Sequence, residues 1–172
     1  MHHIRLLTPA EADAARADLI DLLFDCVEGG ASVNFVQPMT RQKSEAWWQG
    51  ALASHARNER LILVAEEDGR IDGSVQLVPA GQENQPHRAD IAKLLVHRRA
   101  RRHGLGTALM QAAEIEAKRL GRTLLTLDTE ADGAGERLYQ RLGWTRFGQI
   151  PGYALAADGT ERKTCSFFYK LL

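Results

Sequence analysis

The sequence has no net charge to spend on a polyanion: 22 Lys and Arg stand against 22 Asp and Glu. That balance excludes a nucleic-acid binder working through bulk electrostatics, although it is compatible with a local basic patch. No apolar run approaches the length of a membrane span, and Met1-His2-His3-Ile4-Arg5 lacks the apolar core of a secretion signal. The expectation is a cytoplasmic protein with neither a membrane nor a nucleic acid as partner. Cysteine is scarce. Cys26 and Cys165 lie far apart, which reads as two buried small residues in a reducing compartment rather than a disulfide. The six histidines show no metal-ligand spacing, so no metal is expected. Repeats and low-complexity segments are also missing. What remains is an ordinary globular composition, 44% apolar and 26% charged over 172 residues, enough for a single domain spanning 1–172 with a real core.

Hydrophobic periodicity divides the chain. Ile4 to Leu7 reads as a short strand, and Thr8-Pro9-Ala10-Glu11 is a capping box with proline at the first helical position. Ala12, Ala15, Leu19, Leu22, Leu23 and Cys26 then recur at helical spacing until Gly29-Gly30. After a loop through Asn34, Phe35 and Pro38, Thr40 caps a second helix carrying Trp47 and Trp48, both read as core. Leu61–Ala65 and Ile71–Val78 form a hairpin around Asp68-Gly69. Ile91–Val96 is an apolar strand interrupted by Lys93. A helix over 104–120, a strand over Leu124–Leu127, a short helix over 134–141 and two strands near 145–150 and 163–171 complete the chain. This order predicts an α/β fold, a mixed sheet with helices on both faces.

One stretch carries chemistry. Arg101-Arg102-His103-Gly104-Leu105-Gly106-Thr107 sits between a strand and an amphipathic helix. A helix start leaves main-chain N–H groups unpaired at the positive end of the dipole, and glycine lets a pyrophosphate approach them. Arg101 and Arg102 add charge and Thr107 a hydroxyl. A Walker loop is excluded because no Gly-x-x-x-x-Gly-Lys-Ser/Thr string exists. A dinucleotide fingerprint is excluded because Leu109 stands where its third glycine belongs.

With Leu94-Leu95-Val96 ahead of it, this loop resembles the Arg/Gln-x-x-Gly-x-Gly/Ala signature of the GNAT acetyltransferases. Leu138-Tyr139-Gln140-Arg141-Leu142-Gly143-Trp144 is similar to a second element of that superfamily. Leu127-Asp128-Thr129-Glu130, Ile150-Pro151-Gly152-Tyr153 and Phe167-Phe168-Tyr169-Lys170 look more narrowly like the tabtoxin-resistance-type acetyltransferases, which acetylate small amine-bearing compounds. The resemblance implies a GNAT-type, mostly antiparallel mixed sheet and acetyl-CoA as cosubstrate, held by Leu94, Leu95, Val96 and residues 101 to 107. It places the Tyr139 hydroxyl beside the cofactor sulfur as a general acid. The main-chain amides of Leu94–Val96 are to polarise the thioester, and Asn34, Phe35 and Tyr153 are to wall the amine site.

Acetyl transfer to an amine needs a base more than an acid. An alkylammonium with pKa about 10.4 is nucleophilic in roughly one molecule per thousand at pH 7, a deficit of about 4 to 5 kcal/mol. Asp90 and Asp128 both adjoin strands aimed at the cofactor side. Asp128 is favoured by its Leu-Asp-Thr context, and Asp90 stands where the narrower group often has glutamate. The expected function is acetyl transfer from acetyl-CoA to a primary amine of a small molecule, such as an amino-acid-like antibiotic or metabolite. The alternatives are a protein N-terminal or lysine acetyltransferase and a non-catalytic acyl-CoA sensor. A homodimer is left open.

Overall fold

A computed structural model describes residues 2–172. Strand β1 (His3–Leu6) leads through the capping box into a 3-10 turn (Pro9–Glu11) and helix α1 (Ala12–Glu28). Glu11 closes the box by accepting from the Thr8 N–H at 2.8 Å, and the Thr8 hydroxyl also donates to the same carboxylate at 2.6 Å. Helix α2 (Arg41–Ala56) starts where Thr40 accepts from the Lys43 N–H at 3.1 Å. The hairpin is β2 (Leu61–Glu67) and β3 (Arg70–Pro79). Strand β4 (Arg88–Val96) precedes α3 (Leu105–Arg119), then come β5 (Leu124–Glu130), α4 (Ala134–Arg141), β6 (Thr145–Leu155) and β7 (Arg162–Leu171).

The seven strands form one sheet in the order β1-β2-β3-β4-β5-β7-β6. Only the β4–β5 pair is parallel; all others are antiparallel. Along β2 the strand period of two sends Ile62 and Val64 into the core under α1 and α2, and Leu63 and Ala65 into the core under α3. Burial on both faces explains why β2 reads as a continuous apolar run.

Two irregularities shape the middle of the sheet. Between Ser74↔Leu95 and Gln76↔Ala92, Lys93 and Leu94 of β4 oppose the single residue Val75, and Lys93 takes φ 49°. This is a β-bulge, and it exchanges the faces of the strand. Ile91 belongs to the α3 core, whereas Leu95, four residues on, belongs to the α1–α2 core. In an unbroken strand the two would share a face. The second irregularity is that β4 and β5 pair only over Arg88–Asp90 and Leu124–Thr126. Beyond Asp90 the strands part, β4 staying with β3 and β5 with β7.

Strand β5 runs three residues past the apolar stretch expected to form it, because β7 pairs with it as far as Glu130↔Cys165. Asp128 therefore lies within a strand, opposite Phe167, rather than at a strand end. Trp48 is fully buried, but Trp47 is only half-buried; its ring lies 4.9 Å from that of Trp48 and 6.0 Å from Phe35. Both cysteines are free and buried.

Candidate active site

The parting of β4 from β5 opens a cavity of about 720 Å³, within the range of small-molecule sites. At one end is the loop after β4. His97 leads into a 3-10 turn (Arg98–Ala100), Arg102 takes φ 68°, Gly104 takes φ 76°, and α3 begins. The first helical hydrogen bond is Ala108 N–H to Gly104 O at 3.1 Å. The main-chain N–H groups from 102 to 107 have no partner among the described residues. This run of free donors at a helix start is the cradle an anion requires. A Cβ added at Gly104 would meet open space, yet its left-handed backbone disfavours any other residue. At Gly106 a Cβ would rest 3.4 Å from Leu138 Cδ2, so alanine fits there. Arg101 donates from Nε to Val96 O at 3.1 Å, which draws it along the cavity wall.

Of the ten positions assigned to the cofactor, Leu94, Val96, Arg101, Arg102, Gly104, Leu105, Gly106 and Thr107 line the cavity, while Leu95 and His103 do not. Leu95 is turned by the bulge into the opposite core. His103 is exposed, and its main-chain N–H has no partner among the described residues.

At the other end stand Tyr139 and Asp128, both lining the cavity. Tyr139 is 7% exposed, with its ring 6.1 Å from both Trp144 and Phe168. Burial first, and the Asp128 carboxylate second, push its hydroxyl up to about 12. It is thus a proton donor throughout the neutral range. Asp128 Oδ2 lies 3.5 Å from the Cys165 thiol, which burial and that carboxylate push up to about 12, so the sulfur stays a neutral donor.

Asp90 does not line the cavity. It sits on the paired part of β4, held by Arg88 Nη1 at 2.5 Å and by the Thr126 hydroxyl. Asn34 and Tyr153 line the cavity, and Phe35 does not; its ring packs against Trp47 and faces Lys93. Lys93, read from the sequence only as an interruption of a strand, projects from the bulge and lines the cavity. A lysine inside an otherwise apolar strand was the signal available. Among the described residues, His2, Glu67 and Asp72 are the group with metal-ligand proximity. They lie outside the cavity, where Arg99 holds Asp72 at 2.6 Å. No helix among the described residues is long and apolar enough to cross a membrane.

The arrangement suits a thioester with a phosphate-bearing tail: amides for the phosphates, a buried hydroxyl for a leaving sulfur and a carboxylate for an incoming proton. Tyr139→Phe is expected to lower turnover on the order of 10 to 100-fold with acetyl-CoA affinity retained, because the ring keeps its packing. An unchanged rate with chemistry rate-limiting removes the hydroxyl from the reaction. The same variant has a pH signature. A hydroxyl raised from 10 in the unfolded chain to about 12 contributes stability below pH 10 that is lost as pH rises through 12. Denaturant unfolding at successive alkaline pH values should fall less steeply for Tyr139→Phe than for the wild type.

The profile of the Acetyltransferase (GNAT) family matches residues 17–144. An uncharacterized N-acetyltransferase from the hisH-hisA intergenic region of Azospirillum brasilense is 38% identical over 113 residues, 64% of this chain and 66% of the relative. The aligned region thus spans just under two thirds of that relative's length. Two solved structures share the fold. The ribosomal-protein-alanine N-acetyltransferase of Brucella melitensis has a TM-score of 0.77 at 24% identity, covering 99% of each chain. The yncA protein of Salmonella typhimurium, solved with its cofactor acetyl-CoA, has a TM-score of 0.76 at 21% identity, covering 100% of this chain and 94% of that one.

Proposed function

The chain belongs to the GNAT family of acetyltransferases, and from that premise we propose that it is an acetyl-CoA-dependent N-acetyltransferase whose acceptor is a primary amine of a small molecule, of the amino-acid-like kind made as antibiotics or metabolites. The observation that carries this reading is that Asp128, itself exposed, shares its cavity with two further segments of the chain. The same cavity is lined by residues 29–34 from the loop after α1 and by Tyr153 of β6. A cavity of about 720 Å³ that must also take the thioester arm leaves room for a compact amine.

In the proposed mechanism the 102–107 amides and Arg101 hold the pyrophosphate, and the edge of β4 beyond Asp90, unpaired toward β5, aligns the thioester arm. Asp128 takes a proton from the ammonium. The neutral nitrogen attacks the acetyl carbon, the C–N bond forms, and the C–S bond breaks. Tyr139 gives its proton to the departing sulfur. The nitrogen's second proton passes to the Tyr139 phenolate, the amide and the free thiol leave, and Asp128 releases its proton to solvent. The test is a panel of small amines together with peptides bearing free N-termini and lysines, with thiol release and acetylated product both measured. Acetylation of small amines is the expected result. Acetylation of the peptides in preference to every small amine overturns the reading.

A further inference from the structure

Lys93 is a cation with no carboxylate partner in the place where the acceptor must sit. The bulge turns it into the cavity, and no salt bridge within 4.0 Å reaches its ammonium among the described residues. Its Nζ instead lies 5.8 Å from the centre of the Phe35 ring and 5.6 Å from that of Trp47. Trp47 carries a second cation, with the Arg60 guanidinium 6.0 Å from its centre. The charged groups acting on Lys93 are therefore Arg60, which repels, and Asp128, which attracts from the same cavity. Burial lowers the ammonium below the ordinary lysine range, and Asp128 opposes that shift only in part. Two aromatic faces fix the direction of the side chain at modest energy and leave its three N–H donors for a ligand.

A cavity that presents one carboxylate and one ammonium, not joined to each other, is complementary to a molecule bearing both charges in reverse. We infer that Lys93 is the specificity-determining residue of the acceptor site, and that it selects amines that also carry an anionic group, the anion meeting Lys93 while the ammonium meets Asp128. The inference rests on the small-molecule reading above and narrows it to a charge pattern. It excludes polyamines and other dications, whose second charge would face Lys93.

The test pairs each of several α-amino acids with the amine obtained by removing its carboxyl group. Binding to the acetyl-CoA-loaded protein is measured by calorimetry, and turnover by thiol release. The wild type should favour the amino acid of each pair on the order of 10 to 100-fold, chiefly in KM and Kd. Lys93→Met should collapse that ratio toward one. Lys93→Arg, which keeps the charge, should retain most of it. Equal binding of both members by the wild type, failure to bind any amino acid, or an unchanged ratio in a folded Lys93→Met protein overturns the inference. Because binding is read apart from turnover, a protein that prefers the anionic members yet acetylates none supports the role of Lys93 and contradicts the proposed function.

Discussion

Asp128→Asn is expected to lower turnover by about 100- to 10,000-fold at pH 7, the range associated with loss of a positioned general base. An asparagine keeps the shape of the side chain and cannot take the ammonium proton, so the variant must rely on the small neutral fraction of free amine. That fraction rises tenfold per pH unit below the amine's own pKa near 10.4. The deficit should therefore shrink as pH rises, which a defect in cofactor binding would not show. Asp90→Asn is the comparison. Asp90 is committed to Arg88 and Thr126 where the two strands still pair, and it does not line the cavity. Its removal should cost stability and leave the pH profile of turnover close to wild type. Rate against pH for both variants, with folding checked, distinguishes them. A wild-type profile for Asp128→Asn assigns the proton to another acceptor.

Gly106→Val should abolish useful acetyl-CoA binding while the protein stays folded. A Cβ at this position clears its neighbours, with Leu138 Cδ2 at 3.4 Å and Leu94 Cδ2 at 4.0 Å. The two methyl groups beyond it would project where phosphate oxygens approach the free amides. Displacing a pyrophosphate from two charge-assisted hydrogen bonds, each worth about 1.5 to 3 kcal/mol, weakens binding on the order of 100-fold or more. Gly104→Val is a poorer probe, because φ 76° penalises a β-branched residue and couples any binding loss to backbone strain. Calorimetric titration of Gly106→Ala and Gly106→Val should give a graded loss. Wild-type affinity in a folded Gly106→Val protein removes residues 102–107 from the phosphate site.

The same two ends of the cavity show what the sequence made legible. The phosphate loop is local: strand, glycines and helix start are contiguous, and unpaired amides follow from the geometry of any helix start. Helix α1 was equally plain, since Ala15, Leu19, Leu22, Leu23 and Cys26 all face one core. The acceptor end is built by long-range pairing. Asp128 lies inside β5 because β7, some 40 residues later in the chain, extends its ladder to Glu130. The bulge that sends Leu95 to the α1–α2 core and Lys93 into the cavity depends on the register of β3 against β4. No periodicity within β4 announces it. Asp90 and Asp128 each adjoin a strand on the cofactor side, and in the sequence only the Leu-Asp-Thr context favours Asp128; the point at which β4 and β5 part separates them. Phe35, which the resemblance puts on the acceptor wall, lies outside the cavity lining, its ring and that of Trp47 flanking the Lys93 ammonium.

In the proposed reaction a single cavity between the parted strands joins the phosphate cradle to Asp128 and Tyr139, where an acetyl group passes from sulfur to nitrogen. The most direct measurement is a product balance: protein, acetyl-CoA and an α-amino acid are incubated together, and free CoA and N-acetylated product are counted by mass spectrometry. Equal amounts of the two products are expected, with both formed at least tenfold more slowly by Asp128→Asn at pH 7. Free CoA released with no acetylated nitrogen, or acetyl-CoA bound and returned intact across the amine and peptide panels, would contradict that reaction.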